Sequence, residues 1–394
     1  MVSHSNTAVI LVTGILLLSQ TAVTEHSFDR HTVSGFSSGG DMAIIHFVAY
    51  SEQVTGIGIV GGAPYGCQLV PDYGDACGAM TDNATLPWND WVDGDFFPYT
   101  KNRAERQLID PMEHMWGTNV YLYSGMLDTC VFRPVAKAVE RQMRNFTRPL
   151  FKRADGWPSA FHTVFDINSE HAWIVDDYVC NSPGRNFTFP YYCGLKSNAE
   201  STGDTDLITA VFEAGNGPPD DYNVDELPVG CCGTCDAGGN CDGRNPPAPV
   251  SEGFWRPPIN HCNYDMSGEM FRILIGSGRP LPKDRTRGND FHLYQFNQSR
   301  YSENRTDAGA ANISMANHAF LYIPKECHHG QSGQCQLHVH YHCCACSYNT
   351  PHMGRNLMLK QGIIEWAEPN NIIVLYPQTT LKGVAGWYVL MRIC

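Results

Sequence analysis

The chain has 394 residues, enough for one large domain or two of ordinary size. At 43% hydrophobic and 17% charged, with 18 Tyr, 18 Phe and 8 Trp, it can bury a substantial core and is not intrinsically disordered. Forty acidic against 27 basic residues give a formal net charge of −13, which argues against the basic face that nucleic acid or an acidic membrane surface requires.

The first segment points to export. Ala8 to Leu18 (AVILVTGILLL) is an apolar run followed by the small and polar Ser19, Gln20, Thr21 and Ala22. This is the pattern of a secretory signal peptide, and the run is shorter than the roughly 20 apolar residues of a membrane span. Residues 1–24 therefore read as a signal peptide and 25–394 as the mature, extracellular chain. The sequons at Asn83, Asn145, Asn186, Asn297, Asn304 and Asn312 fit the same compartment as N-glycan sites. So do the 16 cysteines, far more than a cytosolic enzyme usually carries.

Downstream, short apolar strands alternate with helical patterns. His31 to Gly35 reads as a strand, and Asp41 to Tyr50 has apolar residues at helical spacing. Gly56 to Val60 (GIGIV) and Val120 to Tyr123 (VYLY) read as strands. Pro134 to Phe146 reads as a helix with proline in its first turn, and Phe161 to Ile167 alternates like a strand. Residues 195–258, with Cys231, Cys232, Cys235 and Cys241 among prolines and glycines, interrupt the pattern as a disulfide-pinned loop insertion. A helical pattern returns at Tyr264 to Ile275, then three strands, AFLYI (319–323), LHVHYH (337–342) and NIIVLY (371–376). The class is α/β with a mostly parallel sheet.

Gly35-Phe36-Ser37-Ser38-Gly39 fits G-x-S-x-G, the nucleophile elbow of α/β-hydrolases, and it lies between a strand and a helix as that motif requires. A serine nucleophile needs a base and a group that orients the base, in the chain order Ser, acid, His. Asp128 follows the strand VYLY in a loop, and His171 follows the strand at 161–167. Asp110 and Asp166 are alternative acids, and His162 is an alternative base that falls inside a strand pattern.

An ordinary α/β-hydrolase has several strands before its nucleophile, whereas here Ser37 follows the signal segment by roughly a dozen residues. The missing strands are supplied by the C-terminal third, so the expected topology is a circular permutation with LHVHYH beside the elbow strand. The loop after His342 would then provide one oxyanion N–H and Ser38 the other.

These residues resemble the secreted poly(3-hydroxybutyrate) depolymerases of the single-domain, circularly permuted type. The resemblance runs through VSGFSSGGDMAIIHFVAYSEQVTGIGIVGGAPYGC (33–67), VYLYSGMLDTCV (120–131), the His171 segment, INHCNYDMSGEMFRILIG (259–276), LHVHYHCCAC and NIIVLYPQ. It implies Ser37 as nucleophile, Asp128 as acid, His171 as base and the Cys344 N–H as second oxyanion donor. It also implies a short hydroxyalkanoate ester, oligomeric or polymeric, as substrate, with no metal or cofactor. Two positions depart from the family. Cys343 stands where a His-Gly-Cys sequence has glycine, and Trp387 is a faint counterpart of a Trp-rich substrate-contact segment.

Other readings remain open at this level. The Cys231–Cys241 cluster and the period-two histidines His338, His340 and His342 invite zinc, against which stand structural disulfides and hydrogen-bonded core positions. A feruloyl or acetyl-xylan esterase would share the elbow chemistry. A catalytically impaired glycoprotein acting as a binding module would keep the fold without the turnover.

Overall fold

The strand that carries the elbow, β1 (His31–Phe36), is buried along its whole length. In the computed structural model, residues are described within 30–67, 86–176, 259–301 and 315–379, apart from short stretches inside those ranges. The signal segment, the 195–258 insertion and Trp387 lie outside them, as do Asn83, Asn186, Asn304 and Asn312. Asn145 and Asn297 are exposed.

After β1 come helix α1 (Ser38–Ala49), β2 (Val54–Val60), β3 (Asn119–Tyr123), helix α2 (Arg133–Thr147) and β4 (Phe161–Val164). Then follow β5 (Trp173–Val175), β6 (Ile259–His261), helix α3 (Met266–Leu274) and β7 (Leu293–Asn297). The chain returns with β8 (His318–Tyr322), β9 (Gln336–Tyr341), helix α4 (Ile363–Ala367) and β10 (Ile372–Tyr376). Eight of the strands form one sheet in the order β4-β3-β2-β1-β9-β10-β8-β7, while β5 and β6 pair separately. From β4 to β10 the pairing is parallel, and β8 and β7 add an antiparallel edge.

The expected permutation is present as a strand order. β9 lies against β1 with His31 opposite Leu337 and Gly35 opposite Tyr341, on the side away from β2. The two halves of the sheet that flank the elbow thus come from opposite ends of the sequence.

Apolar side chains cover both faces, as a parallel sheet demands. On one face Ile44, Phe47 and Val48 of α1 and Val139, Met143 and Phe146 of α2 pack on Val33, Ile57, Ile59 and Val120. On the other, Met270, Phe271 and Leu274 of α3 and Ile363, Ile364 and Ala367 of α4 pack with Phe36, Tyr121, Trp173 and Tyr376. Helix α2 starts with proline in its first turn and ends on Arg148 at φ 46°. Asp265 caps α3 by accepting from Gly268 N at 2.8 Å.

Buried polar groups on this second face are paired across strands. Thr32 bonds His338 Nδ1 at 2.7 Å, and Ser34 bonds both His338 Nε2 at 2.7 Å and His340 Nδ1 at 2.8 Å. The partners are those that the β1–β9 register sets opposite one another, Thr32 to His338 and Ser34 to His340. Phe271 meets His338 edge-on and Trp173 meets His340 edge-on. These two histidines are hydrogen-bonded members of the core. Among the described residues no helix is long and apolar enough to cross a membrane.

Candidate active site

Ser37 occupies the turn between β1 and α1 with φ 57° and ψ −124°. A non-glycine residue in that region is strained by roughly 1–3 kcal/mol and persists only where its surroundings enforce it. Here they do: Ser37 N donates to Val60 O at 2.7 Å, while Ser37 O accepts from Gly40 N and Asp41 N. Ser37 stands at the N-cap of α1, yet its hydroxyl makes no capping bond. The motif's glycines are demanded by space, since a β-carbon on Gly35 would overlap Gly39 O and one on Gly39 would overlap Tyr341 O.

Asp128 and His171 meet at the carboxyl edge of the sheet. His171 Nδ1 donates to Asp128 Oδ2 at 2.8 Å, and both side chains are buried. The second carboxylate oxygen accepts from Val131 N at 2.7 Å, which fixes the carboxylate within its own loop. The loops after β3 and β4 are stitched together, with Ser124 N donating to Val164 O at 3.1 Å and Met126 N to Ile167 O at 2.8 Å. Tyr123 and Ser169 join them again through their hydroxyls. Immediately after His171, Trp173 is fully buried and donates Nε1–H to Gln361 O at 2.9 Å, which anchors the histidine loop in the core.

The histidine ring packs on the elbow strand and on the strand beside it. Its centroid is 5.0 Å from that of Phe36, the residue before Ser37. Gly61, at φ 60° just after β2, backs the ring, with N–H donated to Tyr123 O at 3.0 Å. Because Asp128 accepts, Nδ1 carries the proton and Nε2 is the ring's acceptor.

Ser38 opens α1, so its N–H is among those without an intrahelical acceptor. Cys344 follows β9 by three residues, and the β1–β9 register brings that loop alongside the elbow. Cys343 forms a disulfide with Cys346, and Cys344 is disulfide-bonded as well. His342 has its pKa pushed down to about 4 by burial and spans the gap to the segment after β10, accepting at Nε2 from Thr379 N at 3.1 Å.

The competing sequence candidates fall elsewhere. His162 is a β4 residue that pairs with Glu269 at 3.5 Å. Asp166 is exposed, and Asp110 accepts from Glu52 N at 2.9 Å beyond the far end of α1. The roles of Gly61, Tyr123, Ser169 and His342 were not readable from the sequence, because each depends on contacts made across distant strands. Among the described residues, Glu52, Asp110 and His114 are the group whose donor atoms could approach a cation, within 4.8 Å of one another. They lie at the C-terminal end of α1, a helix of roughly 18 Å, with Ser37 at the other end.

No family model matches the sequence. The chain is 28% identical over 357 residues to a poly(3-hydroxybutyrate) depolymerase of Delftia acidovorans, covering 89% of this chain and 52% of that protein. The chain thus spans about half the length of that bacterial relative. It is 25% identical over 349 residues to a polyhydroxybutyrate depolymerase of Talaromyces funiculosus, covering 88% of this chain and 74% of that one. Among solved structures, the PHB depolymerase of Penicillium funiculosum aligns with a TM-score of 0.53 at 23% identity, over 89% of this chain and 80% of that chain. A serine-to-alanine PHB depolymerase complexed with an R3HB trimer aligns with a TM-score of 0.55 at 23% identity, over 91% and 83%. The chain is thus similar in sequence to two polyhydroxybutyrate depolymerases and shares the fold of the solved ones.

Proposed function

We propose that the chain is an extracellular serine esterase that cleaves short 3-hydroxyalkanoate esters, with residues 25–394 as one catalytic domain. The observation that carries the reading is the buried Asp128–His171 pair at the same sheet edge as a strained Ser37. Sequence relatives that are polyhydroxybutyrate depolymerases support the substrate class, as does the R3HB trimer held by a solved neighbour. The signal-like start and the disulfides at Cys327–Cys335 and Cys343–Cys346 support an oxidising compartment.

In this mechanism His171 Nε2 takes the Ser37 hydroxyl proton as the oxygen attacks the acyl carbon. Asp128 holds the ring's tautomer and stabilises the imidazolium. The N–H groups of Ser38 and Cys344 receive the negative charge on the carbonyl oxygen, an interaction that strengthens in the transition state. As the bond between the acyl carbon and the ester's alkoxy oxygen breaks, the imidazolium gives its proton to that oxygen, which leaves as the hydroxyl of the shortened chain with an acyl ester on Ser37. Water, deprotonated by the same histidine, then releases the hydroxy acid and regenerates the serine.

The test is labelling with a fluorophosphonate followed by turnover of an R-3-hydroxybutyrate trimer. Ser37 is expected to be labelled, the Ser37→Ala protein not to be, and the trimer to be cleaved faster than feruloyl or acetyl sugar esters. Equal labelling of both proteins would overturn the reading, and preference for sugar esters would replace its substrate.

A further inference from the structure

The peptide unit between Cys343 and Cys344 is held from its carbonyl side. Cys343 O lies 2.7 Å from Nδ1 of His342. Thr379 N–H occupies the other ring nitrogen, so Nε2 accepts and Nδ1 carries the proton donated to that oxygen. The same oxygen accepts from Cys346 N at 3.2 Å, closing a tight turn that the Cys343–Cys346 disulfide locks with a Cα–Cα distance of 5.1 Å. Both half-cystines are buried, and the chain just before them is pressed on the first turn of α1, where a β-carbon on Gly39 would meet the carbonyl oxygens of Tyr341 and His342.

A peptide unit is planar and trans, so its C=O and N–H point in opposite directions. Fixing Cys343 O therefore fixes the direction of the Cys344 N–H. We infer that His342 and the Cys343–Cys346 disulfide form a clamp that aims the Cys344 N–H at the developing oxyanion. They are positioning residues that act through the shared peptide plane and do not touch the reacting atoms. The inference rests on the esterase reading above. It also gives a use to the position where this chain has cysteine in place of the family's glycine, since the clamp replaces backbone freedom with a covalent restraint.

The experiment compares the full chain with Cys343→Ala/Cys346→Ala, His342→Ala and His342→Asn. Asparagine can present an amide N–H where the imidazole Nδ1–H lies. In the double variant and in His342→Ala, kcat for the hydroxybutyrate trimer is expected to fall about ten- to a hundredfold, with KM within about twofold. Affinity for a short-chain trifluoromethyl ketone, whose hemiketal oxyanion occupies the same place, is expected to fall in step with kcat. His342→Asn is expected to recover most of the loss. Disulfides that merely stabilise the fold would lower the melting temperature and leave kcat and ketone affinity unchanged below it, and that result would overturn the clamp. If the double variant does not fold, the His342 pair decides by the same measurements. Failure of the esterase reading is separately visible, because the unmodified chain would then take up no fluorophosphonate.

Discussion

A β-carbon placed on Gly61 would lie 2.9 Å from Cε1 of His171, closer than real β-carbons come to other atoms. The end of β2 is thus the wall against which the proposed base is seated, and its φ of 60° is a second reason for glycine there. Gly61→Ala is expected to cost about 1–2 kcal/mol of stability from backbone strain and to lower kcat about a hundredfold by displacing the ring. Thermal denaturation and steady-state kinetics on one preparation check both; kcat within threefold of the parent would remove Gly61 from the site.

Asp128→Asn separates the two duties of the carboxylate. An asparagine Oδ1 can keep the bond from Val131 N, so the loop is expected to stay folded. Its amide would donate toward His171 Nδ1, reversing the tautomer and leaving Nε2 unable to accept the serine proton. Turnover is expected to fall about 10³–10⁴-fold with a melting temperature within a few degrees of the parent. Activity within tenfold of the parent would assign the acid elsewhere.

Ser34 is the hub of the polar pairing between β1 and β9, touching His338 Nε2 and His340 Nδ1. Ser34→Ala is expected to destabilise the protein by about 1–3 kcal/mol for each nitrogen left without its partner. The midpoint of chemical unfolding reads the loss. An unchanged midpoint would mean that the sheet does not depend on this pairing.

The same histidines make stability depend on pH. Burial pushes the pKa of His31 down to about 4 and that of His340 to about 3, the latter with help from His342. His338 is lowered well below its ordinary value, by burial first and then by its histidine neighbours. In the unfolded chain these groups titrate near 6.5, so below that pH the unfolded state binds the extra protons and folding weakens. Their neutral burial has no cost above pH 6.5, and each histidine then removes up to about 1.4 kcal/mol per pH unit as pH falls towards its folded value. Denaturant midpoints are expected to drop markedly between pH 7.5 and 5.0, above the range in which carboxylates protonate. A flat profile across that interval would refute the assignment.

The strand–helix alternation of β1, α1, β2, β3 and α2 was legible because each has either an unbroken apolar run or clean helical spacing. The candidates Ser37, Asp128 and His171 stand out in the sequence for a related reason: all three follow the C-terminal ends of strands, where loops present side chains. Other elements carried no such signal. β5 and β6 have three residues each, too few for any period to register, and the five residues of β7 bury only Leu293 fully. The helical stretch from Trp88 to Glu105 contains Gly94 and Pro98 and passes through a π-helical segment, so its sequence argues against the structure it adopts. Period two alone put His338 and His340 on one face, but their partners belong to β1, more than 300 residues away. The Cys343–Cys346 pairing could not be singled out among 16 cysteines by spacing.

The strand order also has a bearing on when activity can begin. Ser37, the proposed nucleophile, is among the first residues of the sheet to leave the ribosome, while β9 and the Cys344 loop are among the last. Thr32 must wait 306 residues for His338, a closure that is slow and entropically costly. Until that pairing forms, Ser37 lacks the β9 side of the sheet and the turn closed by Cys343 and Cys346 that follows it. On the proposed esterase reading, an unfinished or partly folded chain is therefore expected to be silent toward esters, so that completing the central sheet and gaining hydrolysis would be one event during maturation.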